Sequence, residues 1–96
     1  MADTRRVVLD VLKPHDPSLL QFTDRVTETE SVTGATSTVV ELDEDVQNVS
    51  VTVEGDQLDY RAIEETIEDL GGTIHSVDQV ASGTHVVERR PTPQDG

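Results

Sequence analysis

The chain has no cysteine and no tryptophan, one phenylalanine, one tyrosine and a single lysine, Lys13. Without cysteine, disulfides, iron–sulfur clusters and thiolate metal sites are excluded. With so few aromatics, the core must be built from Val, Leu and Ile. No apolar run approaches the roughly 20 residues a membrane-spanning helix needs. The opening "MADTRRVV" is too polar and too short before its first strand to act as a signal peptide. These absences together predict a soluble, cytoplasmic protein.

What is present in excess is negative charge. Twenty acidic residues face seven basic ones, for a net charge of −13 over 96 residues. Acidic, aromatic-poor chains are often disordered, but here the apolar residues are strongly periodic. The composition fits a protein from a salt-rich cytoplasm instead. Carboxylates hold hydration when water is scarce, and concentrated salt screens their repulsion. The length predicts one domain, residues 1–90, followed by a loose tail, 91–96.

Alternation marks the strands. "RRVVLDVLK" (5–13) places Val7, Leu9 and Val11 on one face, and Val8, Asp10 and Leu12 on the other. Asp16 is the expected N-cap of a first helix, with Pro17 at its first position and Glu30 near its end. Leu19, Phe22 and Val26 form its buried stripe. A second strand lies in "SVTGATSTVVELD", with Val40 and Leu42 on one face and Val39 and Glu41 on the other. "VSVTVE" (49–54) follows after a turn. Asp59 caps a second helix, 60–70, with Ile63, Ile67 and Leu70 inward and Leu58 as a hydrophobic staple. Gly71-Gly72 ends it through a left-handed residue. "TIHSVDQV" (73–80) is the fourth strand, and "THVVERR" is a candidate fifth. The order β-α-β-β-α-β predicts an α+β, ferredoxin-like sandwich. Its four-stranded antiparallel sheet has order 4-1-3-2, with two helices on one face.

The segments "VVLDVLKPHDPS", "TVVELDED" and "VTVEGDQLDYRAIEETIEDLGGTIHSVDQVASG" resemble the archaeal domain-of-unknown-function family numbered 211, with this chain as a haloarchaeal-type member. The likeness covers nearly the whole chain, and "LDVLKPH" and "GGTIHSVD" are its most specific parts. It implies a ferredoxin-like fold and assembly into rings. It implies no activity and no catalytic residues.

Function cannot be taken from the fold, so each use of this fold is tested at its site. An RNA reader stacks bases on aromatics of the central strands; "VVLDVL" and "VSVTV" have none, and net −13 repels phosphate. Thiolate metal chaperoning needs cysteine. Acylphosphatase chemistry needs Gly and Arg after the first strand, where "KPHDPSLL" has neither. An ACT-like small-molecule site survives as a faint likeness in "HDPSLL", against which stands the plain helix-cap reading. Asp43, Asp45, Gln47 and Glu54 match the spacing of a calcium loop, but the second half reads as a strand that cannot curl around an ion. His15 and His85 read as surface loop residues.

The fourth strand is different, because His75, Ser76 and Asp78 interrupt it. If Ile74 faces the helices, His75 faces the open side of the sheet beside Asp10 on the first strand, with Cβ atoms about 5–6 Å apart. Ser76 would then face the other way, which leaves no Asp–His–Ser relay. Val8, Leu12, Val39 and Val77 would make the rest of that open face apolar and call for burial against other copies. The Asp10–His75 pair would fix register at a subunit interface. The alternative is a divalent metal ion held by Asp10 and His75, with Glu41 and Asp78 as further ligands. The reading is a non-enzymatic, self-assembling binding or regulatory module. Metal-ion binding is the first alternative and an ACT-like sensor the second, and neither nucleic acid nor membrane is a partner.

Overall fold

The computed structural model describes residues 3–87. Six elements follow one another: β1 (Thr4–Pro14), α1 (Leu19–Thr27), β2 (Gly34–Leu42), β3 (Val46–Glu54), α2 (Tyr60–Asp69) and β4 (Thr73–Ser82). All neighbouring strands are antiparallel, and the sheet order is β2-β3-β1-β4. This is the ferredoxin-like arrangement expected from the element order. Residues 83–87 form bends and coil, so the described part of "THVVERR" is not a fifth strand. The rest of that segment and the expected tail, 91–96, lie outside the described residues.

The core follows the alternation. Val7, Leu9 and Val11 of β1 and Val49, Val51 and Val53 of β3 are buried beneath Phe22 and Val26 of α1 and Ile63 and Ile67 of α2. Each side chain of this kind contributes about 1.5–3 kcal/mol on burial. Leu58 joins the same cluster just ahead of α2.

The ends of the helices show where local chemistry decided the boundaries. Asp16 is not the cap of α1. Ser18 is, with its Oγ accepting from the Gln21 N–H at 3.1 Å while Gln21 Oε1 accepts from the Ser18 N–H at 3.3 Å. The reciprocal pair satisfies two donors at once, which a single carboxylate at Asp16 would not. α1 also stops at Thr27 and not near Glu30, because the "TETES" stretch turns and Ser31 takes φ 81°. α2 starts as expected, with the Asp59 side chain accepting from the Ala62 N–H at 3.3 Å. It ends in a Schellman motif: Gly71 N–H reaches Glu68 O at 2.9 Å and Gly72 N–H reaches Ile67 O at 2.9 Å. Gly71 holds φ +88°, a conformation that glycine adopts without steric cost.

Arg5 of β1, between the pairs Thr4–Ser82 and Arg6–Ala81, and three residues of the edge strands stand outside the regular pairing. In β2, Val39 pairs with Val49 and Glu41 with Asn48, so Val40 is extra. In β4, Ser76 pairs with Asp10 and Ile74 with Val11, so His75 is extra; Val77 pairs with Leu9 and Gln79 with Val8, so Asp78 is extra too. Each bulge shifts the facing of everything beyond it.

Candidate functional site

The bulges rewrite the open face of the sheet. Residues paired across an antiparallel ladder share a face, so the rows can be read from the register. One row runs Thr38–Ser50–Asp10–Ser76, and the next runs Thr36–Thr52–Val8–Gln79. Val8 and Leu12 lie on this face as expected, but Val39 and Val77 do not. They pair with Val49 and Leu9, on the helix side. The open face is therefore rich in hydroxyls around a half-buried Asp10, and is not an apolar sheet.

The same register sets out where the residues expected as metal ligands stand. Asp10 lies opposite Ser76, and His75 occupies the bulge beside that pair and is exposed. Ser76 Oγ donates to Asp78 Oδ1 at 2.8 Å, so its hydroxyl is engaged with Asp78 and not with His75. Glu41 is on the far edge strand, opposite Asn48, in a small cleft of about 120 Å³ that Leu12, Asp43 and Val46 also line. Among the described residues no three His, Asp or Glu side chains gather around a point where they would hold an ion. The polar residues of "TIHSVDQV" thus have a structural account. Two of them, His75 and Asp78, stand at the two positions that leave the ladder.

The apparent calcium spacing also resolves into ordinary structure. Val46–Glu54 is one continuous strand that carries Glu54 away from Asp43, and Glu54 pairs with Arg6 Nε at 2.6 Å. His15 ties two loops: its Nε2 donates to Asp43 O at 2.9 Å. A groove of about 1060 Å³ lies between the turn after α1 and the start of α2. Polar atoms in its wall are engaged by the fold: Ser31 Oγ accepts from the Asp59 N–H at 3.0 Å, and Asp59 caps α2.

One residue escaped the sequence reading. Lys13, the chain's only lysine, is fully buried on the helix side of the sheet. Its Nζ donates to Pro14 O at 2.8 Å and Gln47 Oε1 at 3.1 Å, and stands 5.9 Å from the centre of the Phe22 ring. The signal was present: the inward alternation Val7, Leu9, Val11 continues to position 13. Burial holds the ammonium below the ordinary lysine pKa of 10.5, against the opposing charge of Asp16. Tyr60 is shifted the other way from 10.0, by burial first and then by Glu64 and Glu68.

These two shifts set the response to alkali. Between its lowered folded pKa and 10.5, Lys13 is neutral in the folded chain and charged in the unfolded one. The unfolded state then binds more protons, so this group makes stability rise with pH. Above pH 10.0 the unfolded Tyr60 ionises while the folded one keeps its proton, and stability falls. Urea unfolding followed from neutral pH upward at constant ionic strength should therefore show a rise followed by a fall. Lys13→Met should remove the rise and Tyr60→Phe the fall. A Lys13→Met profile that superimposes on the parent's would refute the assignment.

Both flanks of the sheet expose large apolar side chains. On the helix side of the β4 edge, Val77 is 46% exposed and Val80 56%, with Val87 of the following coil also exposed. On the β2 side, Val40 and Leu42 are exposed, and so is Leu20 in the first turn of α1 at the same end of the sheet. The cause is geometric: α1 reaches β2 and α2 reaches β4 over part of each strand only, where Ala35, Val39 and Ile74 pack against the core, and the exposed residues lie beyond that cover.

Comparison with known proteins places the chain in a family. Residues 5–96 match the model of the family DUF211, described as "Uncharacterized ArCR, COG1888". The chain is similar to a protein of Methanocaldococcus jannaschii named "Uncharacterized protein MJ0319", with 46% identity over 95 residues, covering 99% of this chain and 98% of that one. With a match over nearly its whole length and a full-length archaeal relative, the chain belongs to the DUF211 family.

Proposed function

We propose that this protein is a non-enzymatic, self-assembling binding or regulatory module working in a salt-rich cytoplasm. The observation that supports it is the pair of exposed apolar flanks, Val77 and Val80 beside one edge of the sheet and Val40 and Leu42 beside the other. Scattered apolar residues need no explanation, but clusters beside unpaired strand edges mark a surface that is covered in use. A small chain with few aromatics gains from such cover, because it buries a limited share of its surface alone. The assembly is a homo-oligomer, and a ring is the form the family likeness favours. The hydroxyl-rich open face, with Asp10 at its centre, is then left free to meet a ligand.

Sedimentation velocity in molar potassium chloride tests this. The parent should sediment as an oligomer. Val77→Asp with Val80→Asp should give a monomer with unchanged circular dichroism, whereas Val8→Asp, on the open face, should leave the oligomer intact. A parent that sediments only as a monomer rejects the proposal.

A further inference from the structure

One buried atom has no partner in the fold. Asn48 Oδ1 is enclosed and accepts no hydrogen bond among the described residues. A buried carbonyl oxygen without a donor is costly, and folded proteins satisfy nearly all of them. Asn48 lines the cleft of about 120 Å³ at the turn end of the open face, with Glu41, Asp43, Leu12 and Val46. The other two acidic or polar side chains of that lining are carboxylates, so the group that completes the oxygen is a cation.

The fold builds this grouping. Strict alternation along β2 would put Glu41 on the helix side with Val39. The bulge at Val40 returns Glu41 to the open face, opposite Asn48. Asp43 is held at three points. Its N–H donates to Val46 O at 2.9 Å, its O accepts from His15 Nε2 at 2.9 Å, and its Oδ1 accepts from the Glu44 N–H at 2.9 Å. Its Oδ2 is left for a ligand. Among the described residues no arginine pairs with Glu41 or Asp43, and the Lys13 ammonium is bonded to Pro14 O and Gln47 on the other face. Leu12 and Val46 wall the cleft with apolar surface, which lowers the local dielectric and strengthens attraction to a cation.

We propose that this cleft binds a hard divalent cation, magnesium, through Glu41, Asp43 and Asn48 Oδ1. The set is distinct from the Asp10–His75 pair and shares only Glu41 with the ligands expected there. It is all oxygen, which suits magnesium or calcium and not a zinc-like ion. Magnesium keeps several waters and takes one or two carboxylates, whereas calcium draws on a fuller cage of about six to eight oxygens. Three protein donors leave three waters in an octahedral shell, about 90 Å³ at about 30 Å³ each. The cleft of about 120 Å³ has room for them. The site does not depend on self-assembly.

Magnesium chloride titrated calorimetrically into chelator-treated protein in molar potassium chloride should show saturable uptake of one ion per chain. Glu41→Gln and Asn48→Leu should each weaken it by at least about tenfold. Glu44→Gln removes the same charge from the same turn without touching the cleft, and should bind as the parent does. Magnesium should raise the melting temperature of the parent but not of Asn48→Leu, and calcium should bind the parent more weakly. Glu41 is exposed, so Glu41→Gln keeps the comparison valid if Asn48→Leu does not fold. No saturable uptake by the parent would overturn the site. Equal losses in Glu41→Gln and Glu44→Gln would overturn it too, by making uptake a diffuse response to net charge. Tighter binding of calcium would overturn the choice of ion.

Discussion

The protein should melt about 8–16 °C lower in about 0.1 M than in about 1 M potassium chloride, as screening shortens from about 10 Å to about 3 Å. The named sources of repulsion are local. Glu64 faces Glu68 one turn on, and Glu65 faces Asp69, each a like-charge pair costing a few tenths of a kcal/mol. No basic residue occupies the last turn of α2, so Glu68 and Asp69 meet the negative end of the helix dipole uncompensated by a cation there. Asp43, Glu44 and Asp45 crowd the exposed turn between β2 and β3. Together with the general field of a −13 chain these sum to about 2 kcal/mol, which gives the shift in melting temperature. Thermal circular dichroism across the salt series reads it directly. Most of the rise should come below about 1 M, where screening changes fastest. Melting temperatures that are flat across that range would remove the saline reading.

Gly55→Ala should be the most damaging single substitution of a small residue. An added Cβ would stand 2.1 Å from Ser31 O and 2.7 Å from Leu58 Cδ2. The obstruction is backbone, and that backbone is pinned. Ser31 is held at φ 81°, its Oγ accepts from Asp59 N, and Thr33 N–H bonds Glu54 O at 2.8 Å. Leu58 is part of the core and cannot swing away without opening it. Overpacking against such a frame costs about 3 kcal/mol, a substantial part of the stability of a domain this size. At Gly34 an added Cβ meets nothing within 4 Å, so Gly34→Ala is the control and should stay within about 0.5 kcal/mol of the parent. Urea midpoints measured in molar salt compare the three. If Gly55→Ala and Gly34→Ala prove alike, the close approach at Ser31 is not a constraint on the fold.

The element order and sheet topology could be read because local chemistry and global packing agree. Val49, Val51 and Val53 alternate without exception, and Gly71-Gly72 closes α2 where the apolar stripe ends. The faces of the edge strands could not be read as reliably. A bulge slips the pattern by one residue, and whether a strand slips is settled by its partner's hydrogen bonds, not by its own sequence. Unbroken alternation through Val40 put Val39 on the wrong side, and unbroken alternation through His75 paired Asp10 with the wrong residue. Lys13 was missed for another reason. The inward alternation is followed only to Val11, while Pro14 O, Gln47 and the Phe22 ring supply the ammonium at the next inward position with an interior setting. Ser18 was passed over because Asp16-Pro17 is a stronger local signal than a Ser whose partner lies three residues away.

The buried position of Lys13 also determines what the outside of the molecule lacks. With the one lysine enclosed, the folded surface offers guanidinium, imidazole and carboxylate groups but no side-chain amine. Enzymes and reagents that acylate, methylate or conjugate lysines find no side-chain target until the end of the sheet at Pro14 opens. The side chains are in this respect silent to amine-directed modification, and the acylation rate of Lys13 becomes a chemical clock for how often that end comes apart.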